Sequence, residues 1–190
     1  LNVDLLTLNG NKLYGPHIGL LYVKEGVRLE PLIHGGGQQD GRRSGTEDLS
    51  YIAGFALALE RLNKVKLKEA EKLKSLRDLL ISKILEIKDT YLIGAKERAC
   101  NNASIVFKGL NADSLILSLS DKGVYVSSGA ACASRVKKSS KVLEAIKLPL
   151  RDREASLRFA LSKYNTKEEI EKCIEILKSS VGNLIPLVMR

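Results

Sequence analysis

Short apolar runs and longer helical periodicities alternate along this 190-residue chain. Residues 3–8 and 18–23, VDLLTL and IGLLYV, are continuous apolar runs bounded by Gly, Asn and Pro, which predicts two buried β-strands joined by a tight turn. Apolar residues then recur at helical spacing from Ile52 to Leu62 and again over about 65–88. The first half of the chain therefore predicts a strand pair and two helices. The second helix would connect two lobes, and a surface helix of one domain is the alternative.

Strands and helices alternate through the second half of the chain, which predicts a small sheet covered by helices. The last helix opens with TKEE, a capping box in which Thr166 and Glu169 satisfy each other's backbone N–H groups. An earlier helix has Asn111 as its cap and Gly123 as its stop. The remaining predictions are strands over 103–109, 124–128 and 155–162 and a short helix in 141–148.

Charge and cysteine content narrow the class of protein. The formal net charge is +9, but many lysines alternate with glutamates on predicted helical faces, which favours a solvated surface over a nucleic-acid footprint. No apolar run approaches the ~20 residues of a transmembrane helix. Three unevenly spaced cysteines make no disulfide framework, and with only two histidines there is no zinc-site spacing. We therefore expect a cytoplasmic protein without a bound metal.

One cysteine lies in a run of small residues, which offer little apolar surface for packing. The segment 126–140, VSSGAACASRVKKSS, surrounds Cys132 with serine, glycine and alanine, whereas a buried cysteine usually has apolar neighbours. Basic residues follow closely, and nearby cations favour the thiolate, which is the nucleophilic form. This segment predicts a reactive loop cysteine, and a loop cysteine without a role is the alternative that it leaves open.

The turn between the first two predicted strands contains a lysine. Lys12 lies in NGNKLYGP, between Gly10 and Gly15, and Pro16 stiffens the exit of the turn. An amine that is held and buried between strands is suited to forming a Schiff base. An ordinary solvated lysine is the alternative.

Two further features suit anions. The loop 34–46, HGGGQQDGRRSGT, offers backbone N–H groups, two arginines and hydroxyls before a helix that Thr46 could cap, a combination that suits a phosphate. Arg158 lies within the predicted strand ASLRFALS, and its planar guanidinium would suit a carboxylate if its face of the strand lines a cleft. A flexible surface loop and an arginine on an exposed face are the respective alternatives.

Four segments in this order resemble the motifs of one enzyme family. VDLLTLNGNKLYGP resembles the cofactor-lysine segment of the NifS/IscS-type cysteine desulfurases, and HGGGQQDGRRSGTED resembles their glycine-rich RSGT segment. VYVSSGAACAS resembles the active-site cysteine loop, and SLRFALSKYNTKEEIE resembles the segment with the substrate-binding arginine. The resemblance implies an α/β fold of fold-type-I enzymes that use pyridoxal 5'-phosphate (PLP), with residues 1–65 from the end of the large domain and 66–190 forming the small α+β domain.

The resemblance also implies roles for single residues. Lys12 would bind PLP through a Schiff base, and Thr46 would reach the phosphate of the cofactor in the neighbouring subunit of a homodimer. Arg158 would bind the carboxylate of L-cysteine. Cys132 would take the sulfur as a persulfide, release L-alanine and pass the sulfur to an acceptor such as an iron–sulfur scaffold, or to tRNA thiolation.

The sequence departs from the family at the cofactor lysine. Where the family has Ser-Gly-His-Lys, this chain has Asn9-Gly10-Asn11-Lys12, so asparagines would replace two cofactor contacts. The chain also begins at Leu1 in what resembles the middle of a domain, so we expect a C-terminal half that does not turn over cysteine by itself.

Three other functions stay open at this stage. A selenocysteine lyase of the same fold would keep much of its activity when Cys132 is replaced by Ser, whereas a desulfurase would lose it. A non-catalytic sulfur-relay or scaffold module would accept a persulfide at Cys132 without binding a cofactor. An RNA-binding module would bind with a steep dependence on salt.

Overall fold

A computed structural model describes residues 2–129 and 140–188, with side chains described up to residue 185. The chain divides into two compact units, Leu1–Lys66 and Leu67–Arg190. No helix within these described stretches is long and apolar enough to cross a membrane.

The first unit contains a β-hairpin. Strands β1, Leu5–Asn9, and β2, Gly19–Val23, pair antiparallel, and a 3₁₀ turn, Gly10–Leu13, follows directly on β1. The prediction that both strands are buried is wrong for this unit, because the apolar side chains of both strands are half-buried or exposed. A two-stranded ribbon has two faces to cover, and the buried residues among those described in this unit are only Gly10, Ser44 and Phe55.

One long helix replaces the two helices that the sequence predicts. Helix α1 runs from Leu49 to Ile84 without a break. The segment between the two predicted helices contains neither Gly nor Pro, and an i,i+4 ion pair of 2.6 Å joins Glu60 to Lys64 across it, so nothing there ends the helix.

Helix α1 is capped by Asp48 and not by Thr46 as predicted. The Asp48 carboxylate accepts hydrogen bonds from the Tyr51 backbone N–H at 3.1 Å and from the Ser50 hydroxyl at 2.6 Å. These two hydrogen bonds lower the pKa of Asp48 below its ordinary value. Aspartate caps a helix as well as serine or threonine does, and it stands directly before the first helical turn, whereas the exposed Thr46 lies outside the helix.

The second unit is built on an antiparallel sheet of β3, Thr90–Leu92, β4, Asn102–Phe107, and β5, Ser156–Ala160, in the order β3-β4-β5. Its further helices are α2, Ala112–Ser120, α3, Lys141–Ala145, α4, Leu150–Glu154, and α5, Lys167–Val188. Strand β4 confirms most of the predicted strand at 103–109, and β5 confirms the core of the one at 155–162, while β3 and helix α4 were not predicted. The stretch predicted as a strand at 124–128 forms only an isolated bridge between Ser127 and Arg158.

The predicted helix caps of this unit are confirmed. The Asn111 side chain accepts a hydrogen bond from the Ser114 N–H at 3.0 Å at the start of α2. Gly123 has a φ of +79° just after α2, a conformation that favours glycine. At the start of α5, the Glu169 N–H donates to the Thr166 hydroxyl at 3.2 Å, and the Thr166 N–H donates to the Glu169 carboxylate at 3.1 Å.

The sheet of the second unit is covered on both faces. Alternate residues of β4, Ala103, Ile105 and Phe107, belong to the main core together with buried residues of α1, α2 and α5. On the other face Val106 belongs to a smaller buried cluster with Leu143 of α3 and two further residues, Ile93 and Ala155. The two faces therefore differ: the first has a large apolar core, and the second has a small cluster that leaves room for polar side chains.

Candidate functional site

Arg158 lies in the middle of β5, on the face of the sheet with the smaller cluster. Its neighbours along the strand, Leu157 and Phe159, point into the main core, so Arg158 faces the other way. Its backbone forms a two-bond antiparallel bridge with Ser127: the Arg158 N–H donates to Ser127 at 2.7 Å, and the Ser127 N–H donates back at 3.3 Å. One side-chain N–H, at Nη2, donates to the Ser127 hydroxyl at 3.2 Å.

A cavity of about 240 Å³ opens beside this arginine. Its walls are apolar at α3 and mostly polar along the sheet, where serine and asparagine side chains line it. Gly129 and Ser140 also line it, and these are the residues directly before and after 130–139, which lie outside the described residues. The lining is completed by Asn102, Ser104, Val142, Leu143, Ser156, Leu157 and Arg158.

The charge of Arg158 has no counterion among the described residues. None of the ion pairs within 2–129 and 140–188 includes Arg158, and its Nε is buried without a hydrogen-bond partner there. A partly desolvated guanidinium without a carboxylate is costly, and binding an anion removes that cost. The arrangement is suited to binding a carboxylate through paired N–H groups.

The turn that contains Lys12 is tightly packed at Gly10 and exposed to solvent at Lys12. A Cβ added to Gly10 would lie 2.4 Å from the Pro16 carbonyl oxygen and 2.8 Å from the Phe55 ring, so the turn closes with almost no spare space. Lys12 itself is exposed, which corrects the prediction that its amine is buried between the strands. The reason is that Lys12 stands on the 3₁₀ turn after β1, whose buried residue is Gly10.

The two asparagines of this turn have different surroundings. The Asn9 side chain accepts a hydrogen bond from the Asn11 backbone N–H at 3.0 Å and so caps the 3₁₀ turn. Both Asn9 and Asn11 are exposed. The amide N–H groups of both side chains therefore lie at the surface beside Lys12, where they can donate to a ligand.

The two arginines of the glycine-rich loop 34–46 form polar contacts within the loop itself. Arg42 forms an ion pair with Asp40 at 3.0 Å, and Arg43 donates to the backbone oxygens of Ser44 at 3.2 Å and Gly45 at 3.4 Å. Both arginines therefore have partners within the loop, and phosphate binding there stays a prediction. Thr46 follows, exposed, at the end of the loop.

The three cysteines differ in what the structure shows. Cys132, the predicted nucleophile, lies outside the described residues. Cys173 is half-buried against the main core, and burial raises the pKa of its thiol to about 11, so at neutral pH it is a packing residue and not a thiolate. Cys100 is half-buried before β4. Over the described ranges no group of three metal-ligating side chains comes together.

The structure thus places the predicted site residues in two groups. Lys12, Asn9, Asn11 and Thr46 belong to the first unit, and Arg158 to the second. Ser127 and the cavity were missed at the sequence level. The run of small residues that continues into the Cys132 segment was the available signal for both.

The family of the chain follows from comparison with known proteins. The model of the class-V aminotransferase family matches residues 1–173. The chain belongs to the class-V aminotransferases.

Named relatives of this class-V aminotransferase chain include cysteine desulfurases. It is 39% identical over 186 residues to cysteine desulfurase IscS 1 of Archaeoglobus fulgidus, which covers 97% of this chain and 49% of the relative. It is 42% identical over 188 residues to cysteine desulfurase IscS of Actinobacillus succinogenes, which covers 97% of this chain and 46% of the relative. The chain spans about half the length of the curated relatives it matches.

A solved structure gives the same result for the fold. A NifS-like protein superposes with a TM-score of 0.86 at 30% identity, over 96% of this chain and 47% of that one. The predicted α/β fold and the resemblance to the NifS/IscS-type enzymes are therefore confirmed for this class-V aminotransferase chain.

Proposed function

We propose that this chain is part of a cysteine desulfurase, which removes sulfur from L-cysteine and leaves L-alanine. The observation that carries the proposal is the site at Arg158: a guanidinium without a counterion among the described residues, beside a cavity rimmed by the two residues that flank the Cys132 segment. The relatives named as cysteine desulfurases support it.

The residues of the first unit fit PLP in their chemistry. Lys12 is an exposed primary amine on a tightly packed turn, and the amides of Asn9 and Asn11 are exposed beside it. Lys12 would hold the aldehyde of the cofactor, and the asparagines would donate to its phosphate. When bound, PLP supplies an electron sink for the bonds of the substrate amino acid.

Three residues of this chain would then have separate roles in the reaction. Arg158 would bind and orient the substrate carboxylate through its N–H groups. The Lys12 amine would move a proton at the substrate Cα. The Cys132 thiolate would attack the sulfur of the substrate: a new S–S bond forms, the substrate's C–S bond breaks, and its electron pair stays on the carbon, which takes up a proton to give L-alanine. Cys132 is left as a persulfide.

The proposal extends to the assembly. Residues 1–65 would be the end of the PLP-binding domain, and 66–190 the small domain. Thr46, exposed after the glycine-rich loop, would reach the cofactor phosphate of the neighbouring subunit in a homodimer. A sulfur-acceptor protein, such as an iron–sulfur scaffold, or a tRNA-thiolation step would receive the sulfur.

One observation favours a second candidate function, a sulfur-relay module without a cofactor. Asn11 stands where the resembling family has a histidine, so the position beside Lys12 offers a phosphate an amide and not a cationic group. In that case Cys132 would accept a persulfide from another protein, and Lys12 would have no covalent role.

The decisive experiment traps the cofactor. The chain, alone and mixed with a separately produced N-terminal half of a cysteine desulfurase, is incubated with PLP, its visible spectrum is recorded, and borohydride reduction is followed by peptide mapping. We expect a reduced adduct on Lys12 that disappears in Lys12→Ala. Lys24→Ala is the matched control, because Lys24 is a half-exposed lysine of the same unit that pairs with Asp4 at 3.2 Å.

The outcomes separate the two functions. An adduct confined to Lys12, with alanine production in the mixture that Cys132→Ser abolishes, supports the desulfurase. No colour and no adduct, or an adduct spread equally over surface lysines, contradicts it. Transfer of labelled sulfur to Cys132 under those conditions then identifies a relay module.

A further inference from the structure

The bridge between Ser127 and Arg158 is local, and it involves both the backbone and the side chains. Two backbone hydrogen bonds, of 2.7 Å and 3.3 Å, fix the two residues opposite each other, and the stretch that holds Ser127 makes no further ladder with β5 in the described part of the chain. The Ser127 hydroxyl accepts from Nη2 of Arg158 at 3.2 Å. An isolated bridge therefore occurs at the residue to which the substrate carboxylate is assigned.

The hydroxyl has a specific consequence for the guanidinium. An arginine side chain has many rotamers, and ordering it costs up to roughly 2 kcal/mol. Because the hydroxyl holds Nη2 and Nε is buried, the guanidinium has fewer rotamers available to it before any ligand binds. The serine oxygen accepts the hydrogen bond without adding a charge, so the cation stays available to an anion.

The other serine hydroxyls near Arg158 form no hydrogen bond with its guanidinium in the described part of the chain. Ser104 is opposite Arg158 on β4 and lines the cavity, but it forms no hydrogen bond with the guanidinium in the described part of the chain. Ser156 lines the cavity too, but its hydroxyl donates to the Arg153 carbonyl at 2.8 Å. Ser128, next to Ser127, has its hydroxyl 3.5 Å from the Asp113 carboxylate instead.

We propose that Ser127 is a positioning residue for Arg158, which pre-orients the guanidinium for the carboxylate of an α-amino acid. The proposal rests on the proposed function in one respect, the assignment of the carboxylate to Arg158. It adds that Ser127, five positions before Cys132 in the chain, is attached to the carboxylate site. Loss of the hydroxyl is therefore expected to weaken carboxylate binding by Arg158.

The test measures carboxylate binding directly and needs no cofactor. The complete 190-residue chain is labelled with ¹⁵N and titrated with L-alanine, while the Nε–H resonance of Arg158 is followed by NMR. We expect Ser127→Ala to raise the dissociation constant about tenfold, the effect of losing one hydrogen bond to a charged group. Ser128→Ala is the matched control, and we expect it to leave the dissociation constant unchanged.

A second pair of variants separates positioning from folding. Ser127→Thr keeps the hydroxyl and Ser127→Val replaces it with a methyl group in the same shape, so the pair decides the matter even where the alanine variant is unstable. We expect Thr to bind nearly as the natural chain does and Val to bind as weakly as Ala, with equal thermal midpoints for Thr and Val. If the Thr and Val variants bind L-alanine equally, Ser127 is only structural and the inference is overturned.

Arg158→Gln distinguishes failure of this inference from failure of the proposed function. Loss of binding in Arg158→Gln with full binding in Ser127→Val overturns the role of Ser127 alone. If L-alanine still binds to the Arg158→Gln variant, or does not bind measurably to the natural chain, Arg158 is not the residue that binds the substrate carboxylate. Either result overturns the inference and the substrate assignment together, while the adduct on Lys12 would still be tested independently.

Discussion

The hydrogen bond between Tyr91 and Asp152 lies beside the small buried cluster that contributes Leu143 to the Arg158 cavity. Replacing Tyr91 by Phe measures how much this hydrogen bond contributes to the free energy of unfolding. The Tyr91 hydroxyl donates to the Asp152 carboxylate at 2.5 Å and so ties β3 to α4. Tyr91 also packs on the small cluster that contains Leu143, a residue that lines the cavity. Phenylalanine keeps the ring and its packing and removes only the hydroxyl.

The expected magnitude follows from the partners. A hydrogen bond to a charged group contributes about 1.5–3 kcal/mol. Because both side chains are only half-buried, we expect a value around the lower end of that range, about 1–2 kcal/mol. For a chain of this length, that lowers the thermal midpoint by roughly 2–8 °C. The measurement is urea unfolding at neutral pH, with Tyr125→Phe as the control, because Tyr125 is 82% exposed.

The same bond makes stability depend on alkaline pH. Burial, and after it the carboxylate of Asp152, raises the pKa of Tyr91 from 10.0 to about 12. A raised pKa means that the folded state keeps the phenol proton after the unfolded chain has lost it. The contribution of Tyr91 is therefore complete below about pH 10 and is lost as the pH rises through about 12. The Phe variant should lack this part of the alkaline decline.

Either of two results would refute this reasoning. Tyr91→Phe could unfold at the same urea concentration as the natural chain at neutral pH, in which case the hydrogen bond contributes nothing net. Alternatively, the difference between the two proteins could stay constant from neutral to strongly alkaline pH. The phenol would then not be the group whose proton is retained on folding.

Two further substitutions test local geometry. Gly10→Ala should destabilise the Lys12 turn by about 1–3 kcal/mol and reduce any cofactor adduct on Lys12, because its Cβ would lie 2.4 Å from the Pro16 oxygen. Gly182→Ala in α5 is its control, and because no atom lies within 4 Å of the added Cβ it should be neutral or stabilising by about 0.5–1 kcal/mol. Equal changes in the free energy of unfolding of the two variants, measured in urea, would contradict the close approach at Gly10. Thr166→Ala should cost about 1 kcal/mol through loss of the capping box, whereas Thr166→Ser should cost little; an equal loss in both variants would show that the hydroxyl is not the stabilising group.

Signals that depend on neighbouring residues were predicted best. The capping box of Thr166 and Glu169 and the cap at Asn111 are hydrogen bonds within four residues, so local sequence determines them. The cap of α1 was misplaced because Thr46 and Asp48 are both good capping residues. Which of the two caps the helix depends on where its first turn begins, and that turn begins at Leu49, directly after Asp48.

Burial could not be predicted from local pattern, because it depends on what covers a strand. The apolar runs of β1 and β2 are typical of buried strands, yet within this unit both are half-buried or exposed. Conversely, the alternation in β5 shows that Arg158 and Leu157 lie on opposite faces, but not which face has a cavity. The helix α4 that helps to cover that face was not predicted at all.

The same dependence explains why the sequence identified reactive residues better than the residues that support them. Arginine, lysine and cysteine were singled out by their own chemistry, whereas serine is common on any surface, and Ser127 has significance only because Arg158 lies opposite it. The two are 31 positions apart in the chain, and a single isolated bridge joins them. Strand signals at 124–128 suggested continuous pairing, but within these residues only Ser127 pairs with β5. The strand prediction therefore failed beside the candidate site, since Gly129, two residues after the bridge, lines the cavity.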